Sequence, residues 1–223
     1  MKPPIKPKLI SFKLCPFVQR SVITLLEKHI DFDITYIDIK EPPEWFLEIS
    51  PFGKVPVLQL DHTVLFESAV INEYLDESFP PTLHPTEPLQ RAINRMWIEY
   101  GSNLNFELHG IMTLQDADKW QEKCNQTKLE FARVEQELGA GPFFNGEHFA
   151  LIDAAYAPPL MRSKLLDQHF GLDLLGGLPK LQAWMKTLLA RDSVIHSVVP
   201  EFEQLFLGSI AKAAGHLTKA GTA

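Results

Sequence analysis

Ten residues, Phe79-Pro80-Pro81-Thr82-Leu83-His84-Pro85-Thr86-Glu87-Pro88, hold four prolines. Proline has no N–H and a fixed φ, so this stretch continues neither a helix nor a strand. Before it, strand and helix signals alternate. After it, strand signals vanish. The pattern predicts a mixed unit over residues 1–80, a linker over 81–88 and an all-helical unit over 89–223.

In the first unit, Leu9-Ile10-Ser11-Phe12 reads as a short buried strand. Pro16 to His29 reads as a helix, with Val18, Val22, Leu25 and Leu26 at three- and four-residue spacing. Phe32 to Ile39 alternates and is rich in β-branched and aromatic residues, which predicts a strand. A short helix from Pro43 to Ile49 follows, with proline at its start. Val55–Leu60 and Thr63–Phe66 flank Asp61-His62 as a hairpin, and Ser68 to Phe79 is helical again. The order β-α-β-α-β-β-α predicts a mixed four-stranded sheet with helices on its faces, thioredoxin-like in plan. In the second unit, helices are expected over 89–108, 118–138, 152–169, 179–191 and 201–214. The small, polar tail 215–223 is expected to fray.

Charge narrows the function. The 223 residues carry 21 Lys+Arg against 28 Asp+Glu, a net −7. That argues against nucleic-acid binding by general electrostatics and against a polybasic membrane anchor. Two cysteines cannot form a disulfide scaffold, so a reducing compartment, the cytoplasm, is expected. No secretory signal is expected at the N-terminus, and no window approaches the roughly 18 apolar residues of a membrane span. No metal-ligand spacing stands out.

Cys15 falls between a strand and a helix, with Pro16 where a first-turn proline belongs. A helix N-terminus offers unpaired N–H groups and partial positive charge, which favour a thiolate. A lowered thiol pKa is therefore expected, with Lys13 and Arg20 adding to it. Val18 stands where a second cysteine of a C-x-x-C motif would be, so the thiolate needs an external thiol to resolve it, and glutathione is the obvious one. The competing reading is an inert buried cysteine. Cys124, in a polar helical stretch, reads as incidental. Val55-Pro56 reads either as a cis proline after the Phe52-Gly53-Lys54 turn or as an edge-strand proline. Glu67-Ser68 opens a helix, and reads either as an ordinary cap or as a pair holding a group that bears both charges.

Taken in order, Cys15-Pro16-Phe17-Val18-Gln19-Arg20, Pro43-Glu44-Trp45-Phe46, Pro51-Phe52-Gly53-Lys54-Val55-Pro56-Val57-Leu58, Phe66-Glu67-Ser68-Ala69 and Glu73-Tyr74-Leu75-Asp76-Glu77 resemble the cytosolic glutathione transferases. Cys-Pro-Phe makes the omega class the nearest. The resemblance implies a thioredoxin-like domain, then a helical domain carrying an electrophile pocket, usually in a dimer. It implies that Cys15 is catalytic and forms a mixed disulfide with glutathione, the co-substrate. It implies glutathione contacts at Phe17, at the Val55 main chain before cis Pro56, and at Glu67 and Ser68 for the γ-glutamyl end. Arg162 would line the electrophile pocket. The other substrate would be a small or protein disulfide, or an electrophile. Classical conjugation should be weak, since Ser11 and Ser21 are placed less convincingly than Cys15.

Two departures from the family pattern stand out. Pro42 occupies the place of a lysine expected to contact the glycyl carboxylate, and Lys40 is the substitute. Ala150 occupies the place of a Ser or Thr cap ahead of Asp153, a loss of about 1 kcal/mol. The rival reading is a non-catalytic binding protein of the same fold, like stringent starvation protein A, which shares a Tyr-Leu-Asp-Glu-x-Phe-Pro stretch. Cys15 and Glu67-Ser68 count against it. The chloride intracellular channel proteins, which share Cys-Pro-Phe, rank third because Glu27, Lys28 and His29 interrupt the first helix as a span.

Overall fold

The computed structural model of the protein describes residues 6–220. In chain order the elements are β1 (Lys8–Ser11), α1 (Pro16–Glu27), β2 (Asp33–Tyr36), α2 (Glu44–Ile49), β3 (Val57–Leu60), β4 (Thr63–Phe66) and α3 (Ser68–Ser78). Helices follow: α4 (Pro88–Thr113), α5 (Ala117–Glu137), α6 (Leu151–Phe170), α7 (Pro179–Leu189), α8 (Asp192–Ile195), α9 (Phe202–Ala213) and α10 (His216–Ala220). The strands form one sheet in the order β2-β1-β3-β4. β1 runs parallel to β2, with Leu9 opposite Ile34, and antiparallel to β3, with Leu9 opposite Leu58. β3 and β4 form the expected hairpin, Leu60 opposite Thr63, with Asp61 at φ 45° in its turn. This is a thioredoxin-like domain followed by a helical one. Residues 1–5 of the expected first unit lie outside the described residues.

One side of α1 sets Val18, Val22 and Leu25 against Leu9, Leu58, Ile71 and Leu75. Its other side puts Ile23 into the core of the helical half, with Leu104, Tyr156 and Leu160. Residues Val18 to Leu25 are all buried. A helix hidden all round belongs to the middle of a structure, and α1 is the joint between the two halves. α4 can lie close to α6 because Gly101 leaves room: a Cβ there would meet the Tyr156 ring at 2.7 Å.

The proline-rich segment is tied down. Lys28 and Asp76 form a buried ion pair at 2.9 Å, and Asp76 also accepts from the Leu83 and His84 N–H groups at 2.6 and 3.1 Å. Lys28 donates to the Pro81 carbonyl at 2.7 Å. At the start of α6, alanine at position 150 offers no acceptor, but the fully buried Asp153 carboxylate compensates. It accepts from Ala150 N–H (2.8 Å), Phe144 N–H (3.0 Å) and the Trp184 indole N–H (2.7 Å). Burial pushes this carboxyl up to about 6, against those three donors and the Arg191 charge.

Three expectations are corrected. Gly215–Ala220 does not fray: His216 N–H donates to the Leu114 carbonyl at 2.7 Å, and Leu217 is buried in the helical core. Residues 221–223 of that tail lie outside the described residues. The strand expected over 32–39 keeps only Asp33–Tyr36, where β1 ends its pairing. The cap of α3 is Glu67, not Ser68, which is the first helical residue. Among the described residues, no helix is long and apolar enough to cross a membrane.

Candidate active site

Cys15 is the N-cap of α1, with Pro16 in the first turn. Its N–H donates to the Phe12 carbonyl at 3.0 Å and its carbonyl accepts from Gln19 N–H at 3.1 Å, so the backbone on both sides is held. The sulfur faces the N–H groups of Phe17 and Val18, with the Arg162 and Arg20 charges nearby. All four favour the thiolate. Burial nevertheless outweighs them and pushes the thiol up. Cys15 is 9% exposed, and the cavity it lines measures about 10 Å³, at the lower limit for one water. The expected lowering of its pKa is therefore overturned in this structure. A helix end acts locally, whereas desolvation depends on what the rest of the fold packs over the sulfur. Lys13 does not help, because it pairs with Glu201 at 2.7 Å.

Arg162, expected to line the electrophile pocket, is 3% exposed, and its fork is bonded inside the protein. It reaches from α6 across the seam. Nη2 donates to the Leu14 carbonyl at 2.8 Å, and Nη1 donates to Gln19 Oε1 at 2.7 Å and the Pro158 carbonyl at 2.9 Å. Gln19 in turn donates to Ser197 Oγ at 3.1 Å. The guanidinium lies 5.2 Å from the Phe202 ring centre. Burial lowers it to about 10, with Cys15 pulling the other way, so it stays charged at neutral pH. Sequence reading missed Gln19 and Ser197. The polar run Gln19-Arg20-Ser21 inside the amphipathic pattern of α1 was the signal for Gln19, and Ser197 left none.

Arg20 makes a second crossing. Nε and Nη2 both donate to Ser68 Oγ, at 2.9 and 2.6 Å, and Nη1 donates to Ser102 Oγ on α4 at 3.0 Å. Burial lowers Arg20 to about 10, while Glu99, Cys15 and Glu67 oppose that. With its lone pairs taken up, the Ser68 hydroxyl keeps its hydrogen to donate. Next to it, Glu67 is exposed, sits at φ 66° and makes no capping bond with its side chain. For a residue other than glycine, that left-handed backbone costs on the order of 1 kcal/mol and is worth a functional question. Val55-Pro56 is a cis peptide placed just before β3, and Val55 packs on the same apolar cluster as Cys15. Phe17 lies 5.3 Å from the Arg20 guanidinium and 5.3 Å from the Phe106 ring. Lys40 is exposed in the β2–α2 loop, its N–H bonded to Asp38 Oδ1 at 2.8 Å. Cys124 is 2% exposed, and burial pushes it up to about 11 against the charge of Lys128.

The arrangement is a single thiol at a helix start, two buried guanidiniums behind it, and an exposed carboxylate beside a donor hydroxyl. Comparison with known proteins gives the family. Family models described as glutathione S-transferase, N-terminal domain and C-terminal domain match residues 14–78 and 129–187. Glutathione S-transferase omega-1 of Rattus norvegicus is 31% identical over 185 residues, 81% of this chain and 76% of that protein. A probable chloroplastic glutathione S-transferase DHAR2 of Oryza sativa subsp. japonica is 30% identical over 82% of this chain, which spans 65% of that protein's length. A stringent starvation protein A homolog of Haemophilus influenzae is 34% identical over 79% of this chain and 82% of that one. Among solved structures, glutathione transferase Omega 3C of Trametes versicolor superposes with a TM-score of 0.78 at 28% identity, covering 88% of this chain and 90% of its own. The chain belongs to the glutathione S-transferase family and resembles its omega class.

Proposed function

We propose that the protein is a glutathione-dependent thiol transferase or reductase of omega type, with Cys15 as its nucleophile. The observation that carries this reading is the Cys15 sulfur at the start of α1, facing two backbone N–H groups and two buried guanidiniums. In the first step the Cys15 thiol gives its proton to solvent. The thiolate attacks the glutathionyl sulfur of a mixed disulfide, a new S–S bond forms, and the old one breaks. The substrate leaves as a thiolate and takes up a proton. A second glutathione thiolate then attacks the enzyme-bound sulfur, which releases glutathione disulfide and restores Cys15. With dehydroascorbate as oxidant, two glutathiones supply the two electrons. Phe17, the Val55 main chain before Pro56, Glu67, Ser68 and Lys40 would hold glutathione, Glu67 by pairing with its amine and Ser68 by donating to its α-carboxylate.

The resting thiol is protonated, so charge must be supplied at the moment of reaction. Arg162 and Arg20 supply it without moving, because each is fixed by at least three donated hydrogen bonds. The test is the glutathione-dependent reduction of hydroxyethyl disulfide and of dehydroascorbate. Cys15→Ala should abolish both and Cys124→Ala should change neither. Full activity in Cys15→Ala would overturn the assignment.

The 34% identity to a stringent starvation protein A homolog supports a second reading, a binding protein of this fold without catalysis. The same assay separates the two. We also infer a homodimer in the cytoplasm. Exposed apolar side chains on β4, α3 and α4, namely Phe66, Val70, Leu89 and Met96, support the first. Two unbonded thiols fit a reducing compartment.

A further inference from the structure

A cation taken out of water needs a counter-charge, because leaving it alone is costly. Buried Lys28 has one in Asp76 at 2.9 Å, and the partly buried Arg191 has one in Glu27 at 2.6 Å. Among the described residues, the buried Arg20 and Arg162 form no ion pair. Arg20 at least lies in reach of the Glu99 and Glu67 charges. Arg162 does not. Its bonds go to the Leu14 and Pro158 carbonyls and to Gln19 Oε1, and the Phe202 ring lies alongside, all of them uncharged. The charge that acts on it is that of Cys15. The counter-ion of Arg162 is thus the sulfur, and it exists only while the sulfur is a thiolate.

Gln19 makes this arrangement possible. Ser197 Oγ spends its hydrogen on the Val194 carbonyl at 2.7 Å, so it can only accept from Gln19. That turns Gln19 Nε2 toward Ser197 at 3.1 Å, with Met161 Sδ at 3.3 Å, and turns Oε1 toward Arg162 at 2.7 Å. A carboxylate at this position would offer the same acceptor and cancel the charge. We infer that Gln19 is a positioning residue of the Cys15 site: its neutral oxygen holds Arg162 against Leu14 and leaves the guanidinium charge for the thiolate. The inference rests on Cys15 as the nucleophile. The other charged or titratable groups around the sulfur do not replace Arg162. Arg20 comes from α1, Lys13 is tied to Glu201 at the start of α9, and Tyr36 of β2 is held neutral by burial.

The test is the pH midpoint of Cys15 alkylation by iodoacetamide, read by peptide mapping of the full-length protein. Gln19→Glu keeps the acceptor and adds a charge. Its midpoint should rise by about one pH unit, the effect of a nearby charge that disfavours the thiolate. Alkylation well below the midpoint should then slow about tenfold. Gln19→Met removes the acceptor and adds no charge, so its midpoint should rise less. A side chain that only braced the seam would give the reverse order. That reversal, or an unmoved midpoint in Gln19→Glu, would overturn the proposal. Reductase activity that survives Cys15→Ala would sink the assigned reaction and leave these midpoints readable, so the two failures stay distinct. The wild type gives a second test that does not depend on either variant folding. Cys15 alkylated with iodoacetate carries a carboxylate, whereas iodoacetamide leaves a neutral amide of similar shape. The carboxymethyl form gives Arg162 a lasting counter-charge and should melt at the higher temperature. Equal melting temperatures, or a lower one for the carboxymethyl form, would also overturn the proposal.

Discussion

Arg162 Nη2 lies 2.8 Å from the carbonyl oxygen of Leu14, the residue whose peptide leads into Cys15. The arginine belongs to the helical half, the carbonyl to the thioredoxin-like half. The Cys15 sulfur is thus positioned by a side chain some 150 residues away in sequence, through a bond that neither half can make alone.

Arg162→Met should expose the worth of that bond. It leaves the Leu14 carbonyl and Gln19 Oε1 short of a donor inside the seam, which costs about 1–3 kcal/mol. It also removes a charge that favours the Cys15 thiolate. Melting temperature should fall, and the pH midpoint of Cys15 alkylation should rise. Arg162→Lys should recover the midpoint in part, since it keeps the charge and loses the fork. An unmoved midpoint in Arg162→Met would confine the arginine to a structural role.

Alkylation of the wild type against pH tests the burial of the thiol. Because burial raises the Cys15 pKa, the iodoacetamide midpoint is expected above the free-cysteine value of about 8.5. The sign carries over to stability. Above that value the unfolded chain has lost the proton that the folded chain still holds, so this group's contribution falls as pH rises through the folded pKa. Cys15→Ala should remove that alkaline loss. A midpoint below the free value would mean that the helix start and the two arginines outweigh desolvation.

Glu67→Gln separates a ligand contact from a cap. The side chain makes no capping bond, and the residue is exposed, so the melting temperature should barely move. Glutathione binding should weaken roughly tenfold, because a charge-assisted bond to its amine is worth about 1.5–3 kcal/mol. Calorimetry with S-methylglutathione beside a melting curve reads both. Unchanged affinity would remove Glu67 from the site.

Asp153→Ala leaves three buried N–H donors without an acceptor. Each costs about 1–3 kcal/mol, so the loss should exceed the roughly 1 kcal/mol of an ordinary cap. Asp153→Asn keeps one oxygen for Phe144 and Trp184 and turns an amide against Ala150 N–H, so it should lose less. Denaturant unfolding checks the order. Equal, small losses would show that water replaces the carboxylate.

What could be read in the sequence was local. The Cys15-Pro16 junction, the Asp61-His62 hairpin and the proline break are each set by neighbours along the chain. The errors came where distant residues decide. A lowered Cys15 pKa follows from the helix start alone, and is reversed by what Phe202, Tyr36 and α1 pack around the sulfur. Fraying of the tail follows from its small residues, and is reversed by the Leu114 carbonyl and a slot for Leu217. Family resemblance singles out Arg162 only as an expected lining of the electrophile pocket. Its work on Leu14 and Gln19 depends on a seam that no periodicity reveals. The four-residue α8 is too short to leave a periodic signal.

The central claim is that Cys15 forms a mixed disulfide with glutathione. Intact mass and peptide mapping after incubation with glutathione disulfide, at a pH near the alkylation midpoint, test it most directly. One glutathione on Cys15, none on Cys124, release by fresh glutathione, and no adduct in Cys15→Ser are expected. A wild-type protein that stays unmodified, or an adduct that persists in Cys15→Ser, would contradict it.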